Sequence, residues 1–255
     1  MLKLRTVVLL VAVASVARAD WKVLSVESEP GRAGIEHRHV AVEETAAGRR
    51  ADVDLAILSA KSCTLRVVDN TDGLRLAGVM THENCLCAVN GGYFDADFKP
   101  IGLRIVNGQT IAPLQRARLI TGVLLASSRG IQIVRAPEFS PRQKIAAAIQ
   151  CGPFLVDASR PVRGLNDSAL ARRTFAATVS NDRALLGVCS DVSLADLANI
   201  LATTAIIGES KIQRAINLDG GSSSAFWFVR ENGSVFSIPE QKPVRDFVAV
   251  VPSKL

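Results

Sequence analysis

Apolar and polar residues alternate along much of this chain, and the alternation breaks at turn-forming residues. A period of two marks a strand with one buried face. "IEHRHVAVEE" follows it and places His37 and His39 on one face, read here as an exposed polar face rather than a metal pair. "ADVDLAILSA" and "CTLRVVDN" predict two further strands, after a short extended opening, "DWKVLSVESEPG", that ends in a Pro-Gly turn. "CLCAVN" reads as a buried strand running into "GGYFD". "GLRIVNGQTI" predicts a hairpin about Asn107-Gly108, because a two-residue Asn-Gly loop suits the twist of paired strands. "TGVLLASSRGIQIVRA" turns near Arg129-Gly130, and "FAATVSNDRALLGVCSD" at Asn181-Asp182. Near the C-terminus, "FWFVRENGSVFSIP", with Asn232-Gly233 as its turn, and "RDFVAVV" are again strands.

Helical periodicity is scarce. "SLADLANILAT" carries an apolar stripe at Leu194, Leu197, Ile200 and Leu201, with Ser193 as N-cap and Asp196 three residues on. "LRLAGVMTHEN" predicts one or two helical turns, and "RQKIAAAIQ" fits helix and strand equally. There is no strand-helix alternation of the doubly wound kind, no internal repeat and no low-complexity linker. The expected fold is therefore α+β: a single domain with a large, mostly antiparallel or mixed sheet system and few helices.

The first residues stand outside this pattern. Lys3 and Arg5 precede the apolar run "TVVLLVAVASV", and Ala17-Arg18-Ala19 is a small-x-small cleavage signal. Residues 1–19 are expected to be a signal peptide, with the mature chain starting at Asp20. The run is shorter than the ~20 residues needed to span a bilayer, so no membrane insertion is expected after cleavage. The implied location is secreted or periplasmic. Lys3, Arg5 and Arg18 leave with the leader, which carries no acid, so the formal charge falls from +6 to +3. That weak excess and an aromatic content of 5%, with no basic run interleaved with aromatics, argue against a nucleic-acid partner.

The five cysteines, Cys63, Cys85, Cys87, Cys151 and Cys189, all lie beyond the leader, where oxidising conditions permit disulfides. An odd number leaves at least one thiol unpaired. If "CLCAVN" is a strand throughout, Cys85 and Cys87 share a face and do not bond each other. Zinc is not expected, because no histidine sits at ligand spacing with these cysteines.

Three segments interrupt the strand pattern alike: "VNGGYFD" (89–95), "CGPFLVD" (151–157) and "NLDGGSSS" (217–224). Each ends an apolar run with glycine and polar atoms. Glycine lets backbone approach a ligand closely, and a glycine-rich turn exposes N–H donors suited to an oxyanion. One such turn is ordinary; three together, with Asp219 lodged between two apolar runs, predict one shared cleft. Asp219 is then a nucleophile, a base or an anchor for a substrate hydroxyl, or else a turn-capping residue bonded to Gly221 or Ser222. Arg173 suits phosphate through its planar fork, or is a surface arginine beside Arg172. Asp95, Asp157 and Asp191 are weaker second carboxylates.

"NGGYF", "CGPFLV", "RRT" (172–174), "NLDGGSSS" and "PVRDFVAVV" also occur in the order found in the phosphodiester glycosidase family, which this chain resembles over roughly residues 85–251. The resemblance implies a hydrolase that cleaves a sugar from its phosphodiester, here acting on envelope or exopolysaccharide glycans. It divides the chain into N-terminal strands (20–84) and a catalytic region (85–255) of one domain. It implies Asp219, Arg173 and Asn90 as catalytic residues. Gly91, Gly92, Tyr93, Gly152, Thr174, Gly220, Gly221, Ser222 and Ser223 are implied to bind substrate. The family usually has a third glycine where Ser222 stands, and often one soon after the Arg-Thr pair, where this chain has "FAAT". No cofactor is assigned, and a divalent cation between Asp219 and phosphate is left open. Two other readings stand beside this one. A non-catalytic carbohydrate-binding or exopolysaccharide-assembly protein would use the aromatics near the glycine segments. A serine hydrolase would use Ser223 in "GSSSA"; yet Ala225 replaces the second glycine of a nucleophile elbow, and no histidine follows His82.

Overall fold

The computed structural model describes residues 20–253, apart from positions 143, 180 and 181. The proposed leader thus lies outside the described residues, as does Asn181 of one predicted turn. Strands dominate, and every strand pair among the described residues is antiparallel. The largest sheet orders its eight strands as β1 (Trp21–Pro30), β2 (Glu36–Glu44), β3 (Arg50–Ser59), β14 (Arg183–Val192), β13 (Ala171–Val179), β15 (Ile212–Asn217), β11 (Phe154–Asp157) and β12 (Arg160–Pro161). A second sheet has five: β7 (Gln109–Ala112), β6 (Arg104–Val106), β10 (Ile145–Cys151), β8 (Gly122–Ser127) and β9 (Gly130–Arg135). A third, also of five, runs β17 (Val235–Ile238), β16 (Phe226–Val229), β5 (Cys87–Asn90), β18 (Asp246–Pro252) and β4 (Cys63–Asp69).

The inner faces of all three sheets meet in one core. Leu58, Leu186 and Ile216 come from the first sheet, Leu124 and Ile149 from the second, and Val89, Phe226, Phe228 and Val250 from the third. The third sheet buries its other face as well: Ala88, Trp227, Phe247 and Ala249 pack under Leu76 and Met80 of α1 (Leu76–His82). Burial on both faces explains why "AFWFV" and "DFVAVV" read as unbroken apolar runs. The far face of the large sheet is covered by α2 (Leu194–Thr203) through Leu197, Ile200 and Leu201. Its N-terminus is closed by the predicted capping box: Asp196 N donates to Ser193 Oγ at 3.0 Å and Ser193 N to Asp196 Oδ2 at 3.4 Å. The Asn107-Gly108 hairpin forms as read, with φ of 49° and 81°, the left-handed pair that such a turn demands.

Three expectations change. "RQKIAAAIQ" resolves as β10 from Ile145 onward, because pairing with β8 and β6 decides what its alanine-rich pattern left open. Cys85 lies before β5, where its N–H donates to Met80 O at 3.2 Å, and it packs on the α1 side, whereas Cys87 enters the central core. The two do not share a face, since the strand opens only at Cys87. All five cysteines are buried and unbonded. Lastly, His37 is not on an exposed face. It is 4% exposed, stacked on Phe236 at 4.5 Å, and held between Glu29 (Nδ1 to Oε1, 2.7 Å) and Asp54 (Nε2 to Oδ1, 2.9 Å). Burial alone would lower its pKa, but the two carboxylates raise it above the ordinary imidazole value.

Candidate active site

The three glycine-rich segments lie at neighbouring strand ends and are stitched together by backbone hydrogen bonds. Asp219 N donates to Gly91 O at 3.0 Å, Asn217 N to Pro153 O at 3.0 Å, and Leu218 N to Thr174 O at 2.8 Å. Tyr93 OH adds a bond to Gly152 O at 2.7 Å, and Asn217 Nδ2 donates to Tyr93 OH at 3.1 Å. Residues from 90 to 225, far apart in sequence, are therefore brought together in one cluster.

Asn90 is the clamp at its floor. It is fully buried; Nδ2 donates to Asp219 O at 2.7 Å, and Oδ1 accepts from Thr174 Oγ1 at 2.7 Å and Ala225 N at 3.0 Å. The resemblance placed Asn90 among the catalytic residues and Thr174 among those touching substrate. Both side chains face inward and are committed to holding the Asp219 loop, so their geometry is that of positioning residues.

Gly91 and Gly92 are glycines because of what lies beneath them. A Cβ on Gly91 would stand 1.8 Å from Asp246 Oδ1, and one on Gly92 2.1 Å from Arg104 Nη2. Asp246 and Arg104 form a buried pair, Nε to Oδ2 at 2.7 Å, with side chains 1% and 0% exposed. Asp246 Oδ1 accepts from Gly92 N at 2.8 Å, and Arg104 Nη2 donates to Tyr93 O at 3.1 Å. The pair sets the path of the "NGGYF" turn. Sequence reading missed it because its members stand 142 positions apart, each in an apolar strand. The only trace was "RD" inside "PVRDFVAVV" and a lone arginine in "GLRIV".

Asp219 and Arg173 are placed differently. Asp219 sits just after β15, and its Oδ1 accepts from Gly220 N at 2.9 Å. Its expected caps, Gly221 N and Ser222 N, are not used among the described residues. Burial lifts the carboxyl above its ordinary value, helped by nearby Asp246, while Ser223, Lys242 and the Gly220 amide pull the other way. Ser223 Oγ is wholly buried and makes no hydrogen bond of good geometry among the described residues. Arg173, half-buried at the start of β13, donates from Nε to Val192 O at 3.0 Å and from Nη2 to Ala169 O at 2.5 Å. Burial lowers its pKa, opposed by Tyr93, Cys189 and Asp191. Gly220 packs against it, a Cβ there falling 3.9 Å from Arg173 Cδ and 3.0 Å from Arg172 O. Gly221 needs its φ of 62°, which turns the chain into the 3₁₀ turn Gly221–Ser223. Among the described residues neither Asp219 nor Arg173 is in an ion pair.

Orphaned polar atoms gather at the same place. Asn217 Oδ1, Ser223 Oγ and Ser224 Oγ are buried without a partner among the described residues. Buried polar groups are normally satisfied, so three such atoms between positions 217 and 224 set this place apart from the rest of the interior. The weaker carboxylates fall away: Asp95 accepts from Asp97 N and Lys99 N as a turn residue, Asp157 pairs with Arg135 at 2.7 Å, and Asp191 is exposed. No described group of three or more His, Cys, Asp or Glu forms a metal-ligand cluster. Ser223 has no histidine base, since His37 and His39 bond Asp54 and His82 is an exposed helix-end residue.

Comparison with known proteins agrees with this architecture. The fold is similar to that of the zebrafish N-acetylglucosamine-1-phosphodiester alpha-N-acetylglucosaminidase catalytic domain, solved auto-inhibited by its pro-peptide, with a TM-score of 0.65 at 16% identity over 89% of this chain and 87% of that one. A hypothetical protein from Synechocystis gives a TM-score of 0.60 at 14% identity, over 91% and 68% of the respective chains. In sequence, YigE, an uncharacterized protein of Escherichia coli, is 32% identical over 89 residues, covering 32% of this chain and 35% of that one. The chain thus spans about a third of the length of that curated relative. The phosphodiester glycosidase family model matches residues 83–251, most of the chain, and the chain belongs to the phosphodiester glycosidase family.

Proposed function

We propose that this protein is an exported hydrolase that cleaves a sugar from a sugar 1-phosphodiester of envelope or exopolysaccharide glycans. One observation carries the reading. A half-buried carboxylate and a half-buried guanidinium border the same glycine turn, and neither is in an ion pair among the described residues. Desolvating charges is costly unless something compensates them. A substrate with an anionic phosphate and a developing positive charge at the anomeric carbon compensates both.

The chemistry follows from that placement. Breaking the anomeric C–O bond builds oxocarbenium character on the sugar and negative charge on the departing phosphate. Asp219 serves the sugar side. As a base it takes a proton from the attacking water; as a nucleophile it forms a glycosyl ester that water then cleaves. Arg173 holds the phosphate by charge-assisted, forked hydrogen bonds. Phosphate leaves readily, so one carboxylate suffices without a strong general acid. The first-formed anomer separates the two routes: inversion for the base, retention for the nucleophile.

The test is turnover of a chromogenic sugar 1-phosphodiester by folded variants. Asp219→Asn should lose about 10²–10⁴ in kcat, the usual worth of a positioned acid or base. Ser223→Ala should lose far less, whereas a serine hydrolase demands the reverse. The acid limb of the wild-type pH profile should lie above the ordinary aspartate range, because burial raises Asp219, and it should vanish in Asp219→Asn. Near-native turnover by Asp219→Asn overturns the mechanism. Glycan binding without turnover by the wild type supports the carbohydrate-binding alternative instead. Export is tested by mass spectrometry of material from the producing cell, with Asp20 the expected first residue.

A further inference from the structure

The segment after β17 lies against the "GGSSS" turn, and its backbone is fixed almost residue by residue. Pro239 O accepts from Arg172 Nη2 at 3.2 Å, and the same guanidinium bonds Ser224 O. Glu240 O accepts from Arg75 Nη1 at 2.6 Å, while its buried carboxylate accepts from Leu76 N, at the start of α1, at 3.0 Å. Gln241 N donates to Ser222 O at 2.8 Å, joining this segment directly to the turn that bears Asp219. Val244 O accepts from Asn70 Nδ2 at 2.7 Å. Between these anchors stands Lys242, whose side chain is exposed and is in no ion pair among the described residues.

The Lys242 ammonium lies over the ring of Phe94, 5.4 Å from its centroid, and Phe94 follows Tyr93 in the "NGGYF" turn. Lys242 thus bridges two of the turns that form the cleft, within the field of Asp219. A ring face is a weak holding place for a cation, worth about 0.5–1 kcal/mol at an exposed site. An anion entering the cleft offers more. The buried, unpartnered hydroxyls of Ser223 and Ser224 lie in the turn that Gln241 holds.

We propose that Lys242 determines substrate class in this cleft: its ammonium leaves the Phe94 ring and grips the non-bridging oxygens of the phosphodiester, which Arg173 holds from β13. The inference rests on the hydrolase reading for its substrate, but the anion site it describes exists with or without turnover. It makes the cleft selective for sugars bearing an anionic phosphodiester over neutral glycosides. Anchoring of the backbone on both sides of Lys242 limits its freedom to the side chain.

The experiment has two arms on the full chain. In the first, inorganic phosphate is titrated into wild type, Lys242→Gln and Lys242→Arg by calorimetry. Lys242→Gln should bind about tenfold more weakly, the worth of one charge-assisted hydrogen bond, and Lys242→Arg should stay close to wild type. In the second, KM and kcat are measured on a sugar 1-phosphodiester and on a neutral aryl glycoside of the same sugar. Lys242→Gln should raise KM for the phosphodiester by a larger factor than for the neutral glycoside. Equal phosphate binding by wild type and Lys242→Gln overturns the proposal, as does failure of the wild type to bind phosphate. If phosphate binding behaves as expected and no phosphodiester is turned over, the hydrolase reading fails and the anion site stands.

Discussion

Arg104 and Arg173 are both withdrawn from solvent, yet they do opposite work. Arg104 is wholly buried, ion-paired with Asp246, and its remaining N–H groups meet the carbonyls of Tyr93, Ile101, Leu103 and Gln150. It is a finished interaction and defines the backbone above it. Arg173 is only partly buried, donates to two carbonyls, and among the described residues has no carboxylate to answer its charge. The contrast gives a way to separate structural from functional charge: buried charge that is fully answered within the chain builds shape, and charge left unanswered awaits a ligand.

The sharpest way to break this comparison is Arg104→Met. It strands Asp246 in the interior, and removing one partner of a buried pair costs about 3–5 kcal/mol. Chemical denaturation should show that loss, with activity falling because Gly91 and Gly92 lose their support. Arg173→Met should do the reverse, keeping stability within about 1 kcal/mol of wild type while abolishing phosphodiester turnover. Equal destabilisation by both would erase the distinction. Arg173→Lys should be milder, folding normally but turning over the phosphodiester more slowly, because the ammonium keeps the charge and loses the fork.

The smallest expected effect concerns a third buried charge, His37. Its pKa is raised, so its contribution to stability is full below the unfolded value of 6.5 and is lost as pH rises through the folded value. Glu29, its partner, is opposed by burial but lowered overall by Arg230 and His37, so its contribution is full above the unfolded value of 4.5 and is lost as pH falls through the folded value. The gap in Tm between wild type and His37→Gln should therefore be widest between about pH 4.5 and 6.5 and shrink on both sides. A gap that does not vary with pH would make His37 a packing residue alone.

Much of the strand framework was legible because alternation, Asn-Gly turns and a capping box are local signals. The Asn107-Gly108 hairpin and α2 each follow from a few adjacent residues. The grouping of the glycine segments was legible from their shared form, an apolar run ending in glycine with polar atoms. What could not be read were relations across the chain. Nothing near Asn90 says that its amide will be consumed by Thr174, Asp219 and Ala225, and nothing near Asp246 announces Arg104. His37 looked exposed because alternation reports which residues share a face, while the aromatic strands that cover this one lie almost two hundred positions later. Cys85 was misplaced by a shorter-range effect, the turn after α1 delaying the start of β5.

The place of β18 in the third sheet has a kinetic consequence. It is a late strand, yet it lies between β4 and β5, and its first residue is Asp246. A chain emerging from the ribosome has already made the "NGGYF" turn, the Arg104 hairpin and the Asp219 loop before that carboxylate appears. Until then β4 and β5 have no common neighbour, and Arg104 has no counter-charge. Folding of this half must wait for nearly the whole chain, and contacts of such long span form slowly. Synthesis thus leaves the third sheet unassembled until its last strand appears.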